Sequence, residues 1–260
     1  MLSAMTDRTP RAALVTGAAH RIGSAIVRGL AEDGWAVAIH YQESAAAADA
    51  LAGEIVARGG RAVALKADLA REAETAALIG RATAALGPLG ALVNNAAVFE
   101  RDEALTATRA SWDRHIEANL RAPFLLTQEF ARQLPAPLTG SVINLLDQRV
   151  WNLTPHFTSY TLSKAGLWTL TQTLALALAP RIRVNGVGPG PTLPSPRQDD
   201  AQFARQCAET PLGRGSTPEE IVAAIRFLLA APAITGQMIA VDGGQHLGWA
   251  QAGAAPAVEE

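Results

Sequence analysis

Seven short apolar runs alternate with longer segments of helical periodicity, and this alternation constrains the fold more than any other feature of the chain. The runs are 12–16, 35–40, 61–66, 89–93, 141–146, 181–187 and 237–241. Helical stretches fall between them at 22–30, 45–58, 72–86, 112 to about 134, 159–179 and 218–229. Gly34, Gly59-Gly60 and Gly87-Pro88 close the first three helices, Pro180 stops the fifth, and Pro123 is expected to kink the fourth, which Ser111 could cap. Apolar runs of this length joined through helices are the mark of parallel strands buried on both faces. The expectation is an α/β fold with a seven-stranded, doubly wound parallel sheet, helices on both faces and right-handed crossovers.

No shift in composition marks an internal boundary, so one domain is expected over residues 11–248, with a flexible N-terminus at 1–10 and a tail at 249–260. Pro189 to Pro196 is too rich in proline for regular structure, and the stretch on to Arg214 is expected to form a mobile loop over a site. Lys plus Arg is 22 and Asp plus Glu is 24, a net charge of −2 that offers no electrostatic reason for nucleic acid or an anionic membrane as partner. The single Cys207 excludes an internal disulfide, and the five histidines are scattered without ligand spacing, so no metal is expected. No secretory signal and no uninterrupted apolar stretch of about 18 residues is visible, which reads as a cytoplasmic protein.

Three local patterns suggest chemistry. The first strand runs into Gly17-Ala18-Ala19-His20-Arg21-Ile22-Gly23, a strand-to-helix turn of the kind that places backbone N–H groups and a helix dipole against a pyrophosphate. The second strand ends in His40-Tyr41-Gln42-Glu43-Ser44. A free ribose calls for an acid there, whereas a 2′-phosphate calls for a basic or hydroxyl side chain. His40, Ser44 and the nearby Arg21 favour the phosphate and hence NADP(H), while Glu43 alone suits NAD. Finally, Tyr160 and Lys164 are spaced i, i+4 on one helix face just beyond a strand. A nearby ammonium favours the phenolate and makes a tyrosine a usable acid or base near neutrality.

In this order, and with Asp68, Asn94-Asn95-Ala96-Ala97, Asn119, Val184-Asn185, Pro189-Gly190 and Val241-Asp242-Gly243-Gly244 between and after them, these motifs resemble the short-chain dehydrogenase/reductases over about residues 11–248. The resemblance implies a single-domain Rossmann-type fold. It also implies that Asp68 and Leu69 flank an adenine, that Asn94 supports the central sheet, and that Asn95, Ala96 and Ala97 line the cofactor. Lys164 would hold the ribose, Asn119 would hold a proton-relay water, and Pro189-Gly190 would run along the nicotinamide. Family members commonly assemble as tetramers through the helices at 112–134 and 159–179, and the second of these is apolar around much of its circumference.

The chain departs from the common family pattern twice. Arg21 stands where a glycine is usual, and Asp147 stands 13 residues before Tyr160 in place of a serine. In both respects, and in the His-Tyr-x-x-Ser strand end and the aromatic Phe99, it resembles the pteridine reductases, although the basic residue usual at Glu43 is missing. That resemblance implies NADPH-dependent reduction of pterin-like substrates such as dihydropteridines or folates. Asp147, Tyr160, Lys164 and Asn119 would be catalytic, and Arg21, Phe99, Asp147 and Tyr160 would meet the substrate. A physical argument points the same way. An ionised Asp147 about 4 Å from a developing alkoxide would cost roughly 4 kcal/mol, or about a thousandfold in rate. A carboxyl group suits a nitrogen heterocycle better, and with a raised pKa it could itself donate a proton. The alternatives are a carbonyl reductase of the 3-oxoacyl type and a cofactor-binding protein without turnover. Trp35, Trp112 and Trp168 are read as packing, His115 as a helix-surface residue and His156 as an exposed loop residue.

Overall fold

The computed structural model describes residues 9–195 and 197–248. The tail at 249–260 and residues 1–8 of the N-terminal stretch lie outside them. The strands are β1 Ala12–Val15, β2 Ala36–Tyr41, β3 Ala62–Lys66, β4 Ala91–Asn94, β5 Gly140–Leu145, β6 Ile182–Pro189 and β7 Met238–Val241. They form one parallel seven-stranded sheet in the order β3-β2-β1-β4-β5-β6-β7. Because the chain winds outward from β1 to β3 and then returns to lay β4 against the other side of β1, the connections above β1 and β4 diverge. The crevice this leaves at the carboxyl ends of those two strands is where open α/β sheets take their ligands.

The helices are α1 Arg21–Glu32, α2 Ala45–Ala57, α3 Glu72–Leu86, α4 Arg109–Ile116, α5 Ala122–Gln133, α6 Thr158–Leu178, α7 Asp200–Ala208 and α8 Pro218–Ala230. Successive strand residues point to opposite faces, and each face has its own core. Val15, Ile39, Val93 and Ile143 pack on one face with Ile26 and Leu30 of α1, Leu51 of α2 and Ile225 of α8. Leu14, Leu92, Val142 and Val184 pack on the other with Leu78 of α3, Leu126 and Phe130 of α5 and Leu174 of α6. Trp35 is buried with the first core, as expected, whereas Trp112 is 39% exposed.

Two expectations are corrected. The single long helix from 112 is three pieces: α4, which starts earlier because Thr108 and Ser111 form a capping box, then a π-helical turn Glu117–Arg121, then α5. Pro123 has no N–H to give to the carbonyl of Asn119 four residues before it, and the wide turn takes up the mismatch. The segment 191–214 is not wholly irregular. Asp199 and Gln202 form a capping box that starts α7 within it.

Candidate active site

The crevice begins where β1 ends. Gly17 has φ +60°, and a Cβ there would come 2.8 Å from the Cα of Ala96. A Cβ on Gly23 would lie 2.4 Å from the carbonyl oxygen of Gly17 and 2.7 Å from Nδ2 of Asn95. The two glycines thus let β1, α1 and the end of β4 meet at backbone distance. Thr16 and Asn95 lock the junction. The Thr16 hydroxyl oxygen accepts the N–H groups of Asn95 and Ala96, both at 3.0 Å. Nδ2 of Asn95 donates to the carbonyls of Thr16 at 2.8 Å and Gly17 at 3.0 Å. His20 precedes α1 without capping it through its side chain, so the first-turn N–H groups between His20 and Ile22 have no side-chain acceptor. An uncapped helix end beside a close-approach glycine cradle fits a pyrophosphate.

The β2 end is arranged differently from the sequence expectation. His40 is buried, and both ring nitrogens are engaged: Nδ1 accepts from the N–H of Gly17 at 3.0 Å, and Nε2 donates to the carbonyl of Ala67 at 3.1 Å. Burial, reinforced by Arg81 and opposed by the Ala67 bond, pushes its pKa down to about 4. The imidazole therefore braces the glycine turn, and the direct phosphate contact expected of it is replaced by this inner role. Tyr41 packs on the first core. Ser44 starts α2 without using its hydroxyl as a cap. Asp68 caps its own turn by accepting from the N–H of Ala70 at 3.0 Å, and Leu69 packs on the second core. Ala97 is exposed beyond β4.

Asp147, Tyr160 and Lys164 come together at the ends of β5 and α6. The Tyr160 hydroxyl donates to Oδ2 of Asp147 at 2.8 Å. Arg149, which sequence reasoning missed, donates its backbone N–H to Oδ1 at 2.8 Å and its guanidinium to Oδ2 at 3.3 Å. With these donors converging on it, Asp147 is the acceptor of the cluster, whereas the sequence suggested that it could also donate a proton. Lys164 is buried and donates to the carbonyl of Leu145 at 2.7 Å, with Nζ 5.8 Å from the centre of the Tyr160 ring. Burial lowers its pKa to about 8 against the raising effect of Asp147. Asn119, in the π-helical turn, accepts from the N–H of Val98 at 2.8 Å and donates to Val98 O at 2.9 Å and Ser163 Oγ at 3.1 Å. Both polar atoms of its side chain are thus engaged in holding the segment after β4 against α6.

A cavity of ≈ 170 Å³ opens beside the phenol, with Arg21, Phe99, Asp147, Arg149, Tyr160, Pro189 and Gly190 among its walls, closed further by Pro191, Thr192, Leu193, Phe203 and Gln206. Arg21 stands at φ +53°, in the left-handed region that suits glycine, and its guanidinium donates to the carbonyl of Leu193 at 3.2 Å. Phe99 stacks on Phe157 at 4.6 Å and meets Tyr160 edge-on at 4.7 Å. His115 is another correction: it is fully buried, with its ring 6.0 Å from that of Tyr160. Its place four residues before Asn119 on one helix face was the available signal. His156 is half-buried and pairs with Glu103 at 2.9 Å. Among the described residues, no three His, Cys, Asp or Glu side chains gather as metal ligands, and no helix is long and apolar enough to cross a membrane.

Residues 17–246 match the family model described as enoyl-(acyl carrier protein) reductase. The chain belongs to the short-chain dehydrogenase/reductase family and is an oxidoreductase. A 3-oxoacyl-[acyl-carrier-protein] reductase from Synechocystis sp. is 35% identical over 244 residues, covering 92% of this chain and 98% of its own. FolM alternative dihydrofolate reductase 1 from Brucella canis, solved in complex with NADP, is 46% identical with a TM-score of 0.92, over 96% of this chain and 99% of that one. A blue fluorescent protein from a metagenomic library, solved with NADPH, is 32% identical with a TM-score of 0.84, over 92% of this chain and 99% of that one. Proteins named as a 3-oxoacyl reductase and as an alternative dihydrofolate reductase thus both resemble this chain over nearly its whole length.

Proposed function

We propose that this short-chain reductase uses NADP(H) to reduce pterin-like substrates, dihydropteridines or folates. The observation that carries the reading is the hydrogen bond between Tyr160 and the Arg149-held carboxylate of Asp147, at a cavity walled by Phe99 and Arg21. The likeness to the NADP-bound FolM structure supports it. The residues fit the cofactor. The Gly17–Gly23 turn, with His20, Arg21 and Ile22, would take the pyrophosphate, and Asp68 and Leu69 the adenine. Ser44 would reach the 2′-phosphate, Asn95 to Ala97 and Pro189-Gly190 would lie along the nicotinamide half, and Lys164 would hold the ribose. The bound cofactor supplies the hydride.

The chain's own residues handle the rest. The proton of Tyr160 is directed at Asp147. A substrate that offers an N–H to Asp147 and a ring nitrogen to Tyr160 satisfies both partners, and Tyr160 then delivers its proton while the Lys164 ammonium favours the phenolate left behind. A ketone offers only an acceptor and leaves Asp147 facing a developing alkoxide, although Arg149 offsets part of that charge. Phe99 supplies an aromatic wall for a flat ring, worth about 0.5–1.5 kcal/mol beyond burial.

The carbonyl-reductase alternative draws on the 3-oxoacyl reductase relatives. The two are separated by steady-state NADPH oxidation with 7,8-dihydrobiopterin, dihydrofolate and acetoacetyl-coenzyme A. The parent should favour the pterins. Asp147→Asn should keep NADPH binding and lose at least tenfold in pterin kcat/KM, and Asp147→Ser should raise turnover of the thioester. A parent that prefers acetoacetyl-coenzyme A would overturn the pterin reading.

A further inference from the structure

Behind the phenol of Tyr160 lies a buried polar chain that the proposed reaction does not use. Asp102, in the extended segment after β4, is 3% exposed, and His115 of α4 and Ser159 of α6 are fully buried. The Ser159 hydroxyl donates to Oδ2 of Asp102. The Ser159 N–H donates to Oδ1 at 3.0 Å, and the N–H of Thr158 donates to the Asp102 carbonyl at 3.1 Å. Ser111 Oγ lies 2.9 Å from the same carboxylate. Burial alone would raise the pKa of Asp102, but the hydroxyl and N–H of Ser159 and the hydroxyl of Ser111 together hold it below the usual carboxylate value.

This carboxylate does for α6 what the helix cannot do for itself. The residue before α6 is Phe157, at φ +59° and with no capping side chain. The first N–H groups of the helix that carries Tyr160 and Lys164 are met instead by Asp102, from 57 residues upstream.

His115 extends the chain in two directions. Its Nδ1 lies 2.7 Å from Ser159 Oγ, and its Nε2 accepts from the N–H of Glu100 at 3.1 Å. Ser159 has already given its one proton to Asp102, so Nδ1 must be the donor, and Nε2, which accepts, carries none. The ring is therefore the neutral Nδ1–H tautomer. One nitrogen holds the residue next to Tyr160, and the other holds the residue next to Phe99. The Tyr160 ring stands 4.7 Å from Phe99 on one side and 6.0 Å from His115 on another.

We infer that His115 is a positioning residue, setting the phenol of Tyr160 through Ser159 with one ring nitrogen and the ring of Phe99 through Glu100 with the other. The Phe99 half rests on the proposed pterin site. The Tyr160 half holds for any substrate this phenol protonates.

Two amide substitutions separate the halves. His115→Asn places an amide where Nδ1 sits, keeping a donor for Ser159 and losing the acceptor for Glu100. His115→Gln reaches the position of Nε2, keeping the acceptor and losing the donor. His115→Leu removes both. Steady-state kinetics with NADPH are measured on 7,8-dihydrobiopterin and on acetoacetyl-coenzyme A, with thermal midpoint and NADPH binding as checks of folding. On the pterin, His115→Asn should raise KM at least threefold with kcat within twofold of the parent. His115→Gln should lower kcat at least tenfold with KM within twofold, and His115→Leu should show both losses. If the parent turns over only the thioester, the pterin reading fails by itself, and the kcat loss of His115→Gln on the thioester still tests the inference. Should the His115 variants fail to fold, Ser159→Ala is read in their place, with at least a fivefold loss of kcat expected. Equal proportional losses in His115→Asn and His115→Gln, a parent-like His115→Leu, or a parent-like kcat in Ser159→Ala overturns the assignment.

Discussion

Acidification from pH 7 to pH 4.5 should remove about 2 kcal/mol of stability through His40 alone. Its imidazole ionises near 6.5 in an unfolded chain and at about 4 in the folded protein, chiefly because burial disfavours the charged form. Between those values the unfolded state holds the extra proton, so stability is fully present above the unfolded value and is lost as the pH falls toward 4. The whole span corresponds to roughly 3 kcal/mol, most of it already lost at pH 4.5. Asn at position 40 provides the control. Its Oδ1 can still accept from the Gly17 N–H, it does not titrate, and it forfeits the Ala67 bond, so it should be less stable than the parent at pH 7 by about 1–3 kcal/mol. Urea denaturation followed by circular dichroism from pH 7 to 4.5 should show that gap narrowing by about 2 kcal/mol, because Asp102 and the other carboxylates titrate alike in both proteins. A gap that stays constant with pH would mean that His40 is not held neutral by the glycine turn.

Three further outcomes follow from the site. Arg21→Gly should leave the thermal midpoint unchanged or higher, because glycine relieves a left-handed backbone costing about 1–2 kcal/mol, while KM for the pterin rises; a clearly lower midpoint refutes this. Lys164, with its pKa lowered to about 8, is charged below that pH and neutral above it, so the NADPH dissociation constant should climb by up to about fivefold from pH 8 to pH 9 and stay flat in Lys164→Met; parallel profiles in the two proteins refute it. Light scattering at micromolar concentration should report a homo-oligomer, with a tetramer expected, because Leu162 and Leu176 of α6 and Phe227 of α8 are exposed large apolar side chains; a 27.2 kDa particle refutes it.

Much of the fold was legible in the sequence because strands buried on both faces must be apolar throughout and because glycine and proline mark their ends. The π-helical turn at Glu117–Arg121 was not, since a proline inside a helical pattern says that something must give but not how. In the site, Tyr160 and Lys164 are readable from spacing and residue type, and Asp147 and Phe99 from the resemblance to the pteridine reductases. His40 was assigned outward and faces inward, because sequence shows that an imidazole stands at a strand end but not which acceptors and donors lie below it. Arg149 and Asp102 act through segments without periodicity, and only tertiary placement reveals what they touch.

The bonds from Thr16 to Asn95 and Ala96 join residues 79 and 80 positions apart, and they form the floor of the crevice. A nascent chain therefore has no such floor until β4 has been made and inserted beside β1. A ligand that rests on this seam is sensitive to the opening of the whole N-terminal half rather than to fraying at an edge. Its binding energy should accordingly be returned to the protein as resistance to global unfolding, rising with the logarithm of ligand concentration once the seam is saturated.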